Sequence, residues 1–283
     1  VIKTTDNGKT WSVSTSNAQD IRLKGLHISH IDTVWTVGTS GKIFKTYDGG
    51  STWSSVESNT TRDLWDIYFF DSNNGIIVGA SGTIMKTTNG GSTWTRDDLS
   101  TGDITAISFI NSTTGWIVGE GGKIYKTTNG GSTWSSQTSG VTEWIEDVQF
   151  IDEKVGFAGT YYGVLRTTDG GSTWTKTTIN NNQYFQEIHF LDQNVGLTGW
   201  SKKIYKTTDG GKNWSLEDAS GLEGGNGMSY AIYCTDSNNC VYTNASMSYQ
   251  GYMARYSDTT GPTVTSVSST ADDGTYGIGS VIP

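Results

Sequence analysis

Apolar residues fall along this chain in short runs cut by polar turn clusters, and the runs recur at a fixed spacing. Between residues 64 and 98 the runs LWDIYFF, NGIIVG, GTIMKTT and STWTRDD are parted by DSNN, ASG and NGG. Asn, Asp, Ser and Gly are the residues tight turns demand, so each run reads as one strand. The third run is apolar on both sides, as in Ile84 with Met85 and Ile124 with Tyr125. A sheet covered on both faces produces that pattern.

The runs belong to an internal repeat. Its clearest segments are KTTDNGKTW (3–11), KTYDGGSTW (45–53), KTTNGGSTW (86–94 and 126–134), RTTDGGSTW (166–174) and KTTDGGKNW (206–214). The acidic or amide positions Asp6, Asp48, Asn89, Asn129, Asp169 and Asp209 are spaced by 42, 41, 40, 40 and 40 residues. A worn seventh copy, MARYSDTTG, keeps Arg255 and Asp258 and lacks the Trp. Four short strands in each period of about 40 residues predict an all-β fold, a β-propeller of four-stranded blades. The expected ring is seven-bladed with an incomplete first blade, because residues 1–14 supply only the last two strands of one blade.

In the repeated turn the Asp or Asn accepts backbone N–H bonds, the glycines permit positive φ, and Thr or Ser adds a hydroxyl bond. The Trp that follows (Trp11, Trp53, Trp94, Trp134, Trp174, Trp214) is placed to pack between sheets. Asn in two copies argues for a turn acceptor rather than a catalytic carboxylate or metal ligand. The basic residue that opens each copy (Lys3, Lys45, Lys86, Lys126, Arg166, Lys206, Arg255) reads as a repeated structural element for the same reason.

Composition narrows the function classes. The 283 residues contain 37 Gly, 2 Pro and 12% aromatics, which suits short strands and tight turns rather than long helices. With 28 acidic against 19 basic residues the net charge is −9, which disfavours nucleic acid as a partner. No apolar run approaches the roughly 18 to 20 residues of a membrane span, so no direct membrane insertion is expected. His27, His30 and His189 lack metal-ligand spacing, and no motif calls for a cofactor. Cys234 and Cys240 read either as two reduced thiols or as a disulfide across a hairpin. Aligning IYCTDSNNCVY with IYFFDSNNGII puts them on the first and second strands of the last blade and favours the bridge, hence an oxidising compartment.

The [KR]-T-x-[DN]-G-G-x-x-W segments, preceded by strands such as GWIVGEGGKIYK, resemble the Asp-box (BNR-repeat) propellers, most of all the photosystem II assembly-factor-like and sortilin-like branch. The resemblance spans about residues 1–258 and implies six or seven blades and a disulfide hairpin at the C–x5–C pair. The assembly factors carry an arginine-rich patch, whereas Arg22, Arg62, Arg96, Arg166 and Arg255 are scattered here over different repeats. The chain therefore reads as an adhesion or secreted relative. A sialidase, which shares the Asp box, would need three converging arginines, and the FRIP-type segment is missing. Other Asp-box glycosidases use paired carboxylates; the first-strand acids Asp66, Glu146, Asp147 and Glu187 are the candidates for that alternative.

After Asp258 the sequence turns Ser- and Thr-rich and resembles the opening strands of an Ig-like or cadherin-like module, so the expected organisation is a propeller over 1–258 and a linker with first strands over 259–283. The chain is expected to be part of a longer bacterial surface or secreted protein, extracellular, periplasmic or on the cell surface. Function is sought where the copies differ. The loops GTSGK, GASG, GEGG, GTYYG, GWSKK and NASMSYQG are expected to share the face opposite the Asp boxes. Trp144, Tyr161, Tyr162, Tyr184, Phe185 and Trp200 form an expected aromatic cluster there, suited to a protein or a sugar ring. The resulting expectation is a non-catalytic scaffold binding protein or carbohydrate, with a channel-carboxylate glycoside hydrolase as the alternative.

Overall fold

The computed structural model describes residues 2–3, 10, 12–13, 21–179, 184–200, 203–217, 228–236, 239–245 and 251–257. Among them are seven antiparallel sheets in chain order: one of two strands, five of four strands and one of three. Each four-stranded sheet is a meander, so every strand hydrogen-bonds the next in sequence. The chain is all-β, and the sheets are arranged as the blades of a propeller. The first sheet pairs Ile2–Lys3 with Ser12–Val13 on either side of the first repeat turn.

The first strands of successive sheets lie side by side and form the inner wall. They are Leu23–His30, Leu64–Phe69, Ile104–Phe109, Ile145–Phe150, Glu187–Phe190 and Met228–Asp236, and each packs on its predecessor. The hydrophobic core is divided accordingly into five clusters, each spanning two neighbouring sheets. Trp35 of the second sheet stacks on Phe69 of the third with centroids 4.6 Å apart. Trp116 on Phe150 and Phe157 on Phe190 repeat the contact at the next interfaces. Burying such rings between sheets is what lets thin four-stranded blades stand.

Within a blade, the inner-strand Phe faces the Gly that opens the second strand and meets the edge of the repeat Trp. Phe69 with Gly75 and Trp94, Phe109 with Gly115 and Trp134, Phe150 with Gly156 and Trp174, and Phe190 with Gly196 and Trp214 all follow this plan. A Cβ on any of these glycines would run into the phenyl ring. In the seventh sheet the same register pair is Cys234 opposite Cys240. The cysteines thus stand where other blades keep Phe over Gly, in the one repeat that has lost its Trp.

Residues 258–283, the expected start of a following module, lie outside the described residues. So do Asp6 and Trp11 of the first repeat.

Candidate functional site

The two ends of the blades are chemically unlike. At one end sit the repeat turns. Thr46 Oγ1 accepts from the Gly50 N–H at 2.9 Å, and Asp48 Oδ1 accepts from the Thr52 N–H at 2.8 Å. Asp48 Oδ2 also takes the Thr52 hydroxyl proton at 2.7 Å. In the third and fourth sheets Asn89 and Asn129 keep the backbone bond and reverse the last one, donating from Nδ2 to Thr93 and Thr133. A hydroxyl both donates and accepts, so Asp and Asn fit the same turn. Asp169 repeats the arrangement with Thr173, and Asp209 receives the amide of Asn213. These bonds hold Asp48, Asp169 and Asp209 down at about 2, below the ordinary carboxylate value.

In four repeats the basic residue reaches the turn of the following blade, whereas Lys86 pairs with Asp97 of its own blade. Lys45 Nζ donates to Gly90 O at 3.4 Å and Lys126 Nζ to Gly170 O at 3.2 Å. Lys3 lies beside Gly49, and Arg166 beside Gly210. Among the described residues the turn Asp or Asn is thus engaged within its own turn, and the Trp and four of the basic residues in packing or bonding, so these turns are committed to structure.

A second inter-blade belt runs along the inner wall, and sequence reading missed it because the residue types differ. His27, Tyr68, Ser108, Gln149 and His189 occupy one register position, opposite Trp35, Ile76, Trp116, Phe157 and Leu197. Each bonds the backbone of the next blade. His27 bonds Phe69, Tyr68 Oη donates to Phe109 O, and Ser108 Oγ accepts from Phe150 N. Gln149 bonds both N and O of Phe190, and His189 Nε2 bonds Cys234 O at 3.0 Å. Burial lowers His27 to about 4 and lowers His189 as well, so both imidazoles are neutral. Among the described residues no group of three or more His, Cys, Asp or Glu could hold a metal.

Closer to the opposite end, the inner strands of the second to fifth sheets each carry a β-bulge at Lys24, Trp65, Thr105 or Glu146. A bulge turns two successive side chains to nearly the same side. The positions just after the bulge are Gly25, Asp66, Ala106 and Asp147, with Glu187 equivalent in the sixth sheet. Asp66 accepts from Ile67 N at 2.8 Å and from Ile107 N of the next blade at 3.0 Å. Asp147 does the same with Val148 N at 2.7 Å and Ile188 N at 3.0 Å. Each of these carboxylates spends one oxygen on its own blade and one on its neighbour.

These side chains keep some access to solvent along the axis, yet protein surrounds them on all sides. The low-polarity surroundings outweigh the backbone donors and push Asp66 up to about 7 and Asp147 to about 6. Glu187 is raised well above its ordinary value by burial and by Asp147, Asp66 and Glu146. Glu146 is raised by burial, against the pull of Lys24. Lys24 is lowered by burial and by Arg22, and its ammonium lies 4.6 Å from the Trp65 ring.

Beside this axis stands the aromatic group. Tyr161 packs on Tyr184 with centroids 4.3 Å apart, and Tyr162 lies 6.3 Å from both. The Tyr161 hydroxyl bonds Glu146, which ties the tyrosines to the axial carboxyls. Lys176, ion-paired with Glu143, donates to Tyr161 O and lies over the Tyr162 ring. Of the other expected members, Trp144 is half-buried and takes the register place that Asp63 and Asp103 hold in earlier blades. Phe185 does not belong to the face. It is 0% exposed and packs against Tyr205, because it enters the core just ahead of the inner strand. The Trp200 side chain lies outside the described residues.

The hairpin carrying Tyr162 departs from its repeat. In the second, third and fourth sheets this loop is a short 3-10 turn with Gly41, Gly82 or Gly122 at φ of 71°. A Cβ on those glycines would meet a backbone carbonyl. In the fifth sheet the position is Tyr162, at φ 75° and 37% exposed. A bulky residue in the left-handed region costs roughly 1 to 2 kcal/mol.

Blades of this topology, joined through a Thr-x-Asp/Asn-Gly-Gly turn, define a BNR-type β-propeller. The chain belongs to the photosynthesis system II assembly factor YCF48 family, whose profile matches residues 51–140 and 134–250, together 200 of the 283 residues. No curated protein matches the chain. Among solved structures, YCF48 bound to a D1 peptide is 16% identical, with a TM-score of 0.68 over 85% of this chain and 80% of that one. YCF48 from Cyanidioschyzon merolae is 17% identical, with a TM-score of 0.50 over 84% and 96%. An ancestral GH74 enzyme is 15% identical, with a TM-score of 0.67 over 87% of this chain and 38% of that one. At such identities these likenesses establish the fold.

Proposed function

We propose that the chain is a non-catalytic propeller that holds a segment of a partner protein on the axial face marked by Tyr161, Tyr162 and Tyr184. The observation that carries this reading is Tyr162: one blade bears a strained, exposed ring where three others keep Gly. Strain of this kind is retained where the side chain has a use. Membership of an assembly-factor family and the likeness to a relative bound to a peptide support a protein partner over a sugar. Asp66 and Asp147 have both carboxylate oxygens committed to backbone N–H groups, which argues against the glycosidase reading. Cys234 and Cys240, opposite in register, are read as a disulfide that replaces the Phe–Gly–Trp brace, consistent with a location outside the cytoplasm.

The test is a peptide array tiling the D1 protein, probed with wild type and with Tyr162→Gly. The reading predicts at least one bound peptide and a loss of about ten-fold in the variant. Tyr162→Gly also leaves stability unchanged or raises it by up to about 1 kcal/mol, because the strain is relieved. Binding indifferent to the substitution, or no bound peptide, would contradict the reading.

A further inference from the structure

The axial carboxyls are more numerous than their bonding needs. Asp66 and Asp147 are satisfied by backbone donors, but the side-chain carboxyl of Glu187, at the equivalent position, takes no hydrogen bond from any described residue. Gly25 and Ala106 occupy the other two places at this level and add no polar group to it. Two further polar atoms on the preceding positions are buried without a partner, the acceptor Gln186 Oε1 and the donor Trp65 Nε1. Against Asp66, Glu146, Asp147 and Glu187 stands Lys24, which is turned to Trp65 and Glu146, with Arg22 beside it and Lys176 at the tyrosines. Unused acceptors, an acidic surplus and an adjoining aromatic platform describe an incomplete site.

We propose that the partner segment carries a lysine or arginine whose cation enters the axis and is bound by Glu187 and Gln186 Oε1, while flanking residues lie on Tyr161, Tyr162 and Tyr184. This rests on the docking reading above and specifies its chemistry. A guanidinium offers five N–H donors and no acceptor, which suits a site that presents acceptors from two adjacent residues within an acidic surround. Trp65 Nε1 is left to meet a carbonyl of the segment.

The pairing has a pH signature. Glu187 faces Glu146 and Asp147 from the neighbouring inner strand and Asp66 from further round the wall, and Lys24 acts on Glu146. The adjoining strands Gly156–Thr160 and Gly196–Trp200 carry no charged residue, and the described side chains of Met228–Asp236 include Tyr233 and Cys234. On its own strand, neutral His189 is committed to Cys234 O. Carboxyls held protonated by burial release protons when a cation arrives, so affinity rises with pH.

The experiment is selection of a random octapeptide phage library on the full chain, on Glu187→Gln and on Tyr162→Gly, each checked for wild-type melting behaviour. Wild type is expected to enrich sequences with one Lys or Arg beside aromatic residues. A synthetic winner should bind about ten-fold tighter than its Arg→Gln analogue and should tighten from pH 6 to pH 8. Glu187→Gln should erase both the Arg preference and the pH dependence. Peptides lost on Tyr162→Gly but showing no basic preference would overturn this inference and leave the docking reading standing. Enrichment indifferent to Tyr162→Gly, or no enrichment, would overturn both.

Discussion

At the residue scale, Asp and Asn are equivalent in the repeat turn because the hydrogen bond to the following hydroxyl can run in either direction. Asp169→Asn is therefore expected to melt close to wild type at neutral pH, whereas Asp169→Ala, which loses the bonds to Thr167 and Thr173, melts lower. The folded value of about 2 lies below the ordinary 3.8. The ionised form thus stabilises the fold above that ordinary value, and the benefit is lost as pH falls toward 2. Asp169→Asn should flatten this acid limb in a pH series of melting curves, and an unchanged limb would speak against the turn's role. This much was legible in the sequence, because six copies of one turn expose what the turn tolerates. Phe185 was not legible: next to Tyr184 in an inter-blade segment, nothing in residue type separates a ring that enters the core from one that faces out.

At the scale of elements, blades are joined by side chains of one strand that bond the backbone of the next. Gln149 offers the clearest test, since its amide satisfies both the N–H and the C=O of Phe190. Gln149→Leu leaves both unpaired in a half-buried position and should cost about 2 kcal/mol in urea unfolding, against under 0.5 for an exposed substitution such as Thr95→Ser. A cost near zero would mean the belt is incidental. The strands and the repeat could be read from turn residues and apolar runs, but the belt could not. His27, Tyr68, Ser108, Gln149 and His189 share a place only once register is known. The bulges that aim Lys24, Trp65, Thr105 and Glu146 were hidden for the same reason, because one inserted residue alters facing without altering composition.

At the scale of the molecule, two sets of buried groups set the pH response with opposite signs. His27, lowered from 6.5 to about 4, favours the unfolded state as pH falls through that window, so stability is lost on acidification. Asp66 and Asp147, raised to about 7 and 6, bind more protons folded than unfolded, so their contribution is present below pH 4 and is lost as pH rises through 7. Two raised carboxyls outweigh His27 between these values, so the melting temperature should be highest at about pH 4 to 5 and decline from there toward pH 7; a steady rise to pH 8 in scanning calorimetry would contradict the carboxyl assignments. The same asymmetry divides the ring functionally, with the repeat turns spent on structure and the axial face left with strained rings and unused acceptors. Hydrogen–deuterium exchange of the full chain, with and without a bound peptide, tests that division most directly. The account predicts new protection at residues 159–163 and 184–188 and none in the turns 46–53, 87–94 and 167–174. Protection confined to those turns would contradict it.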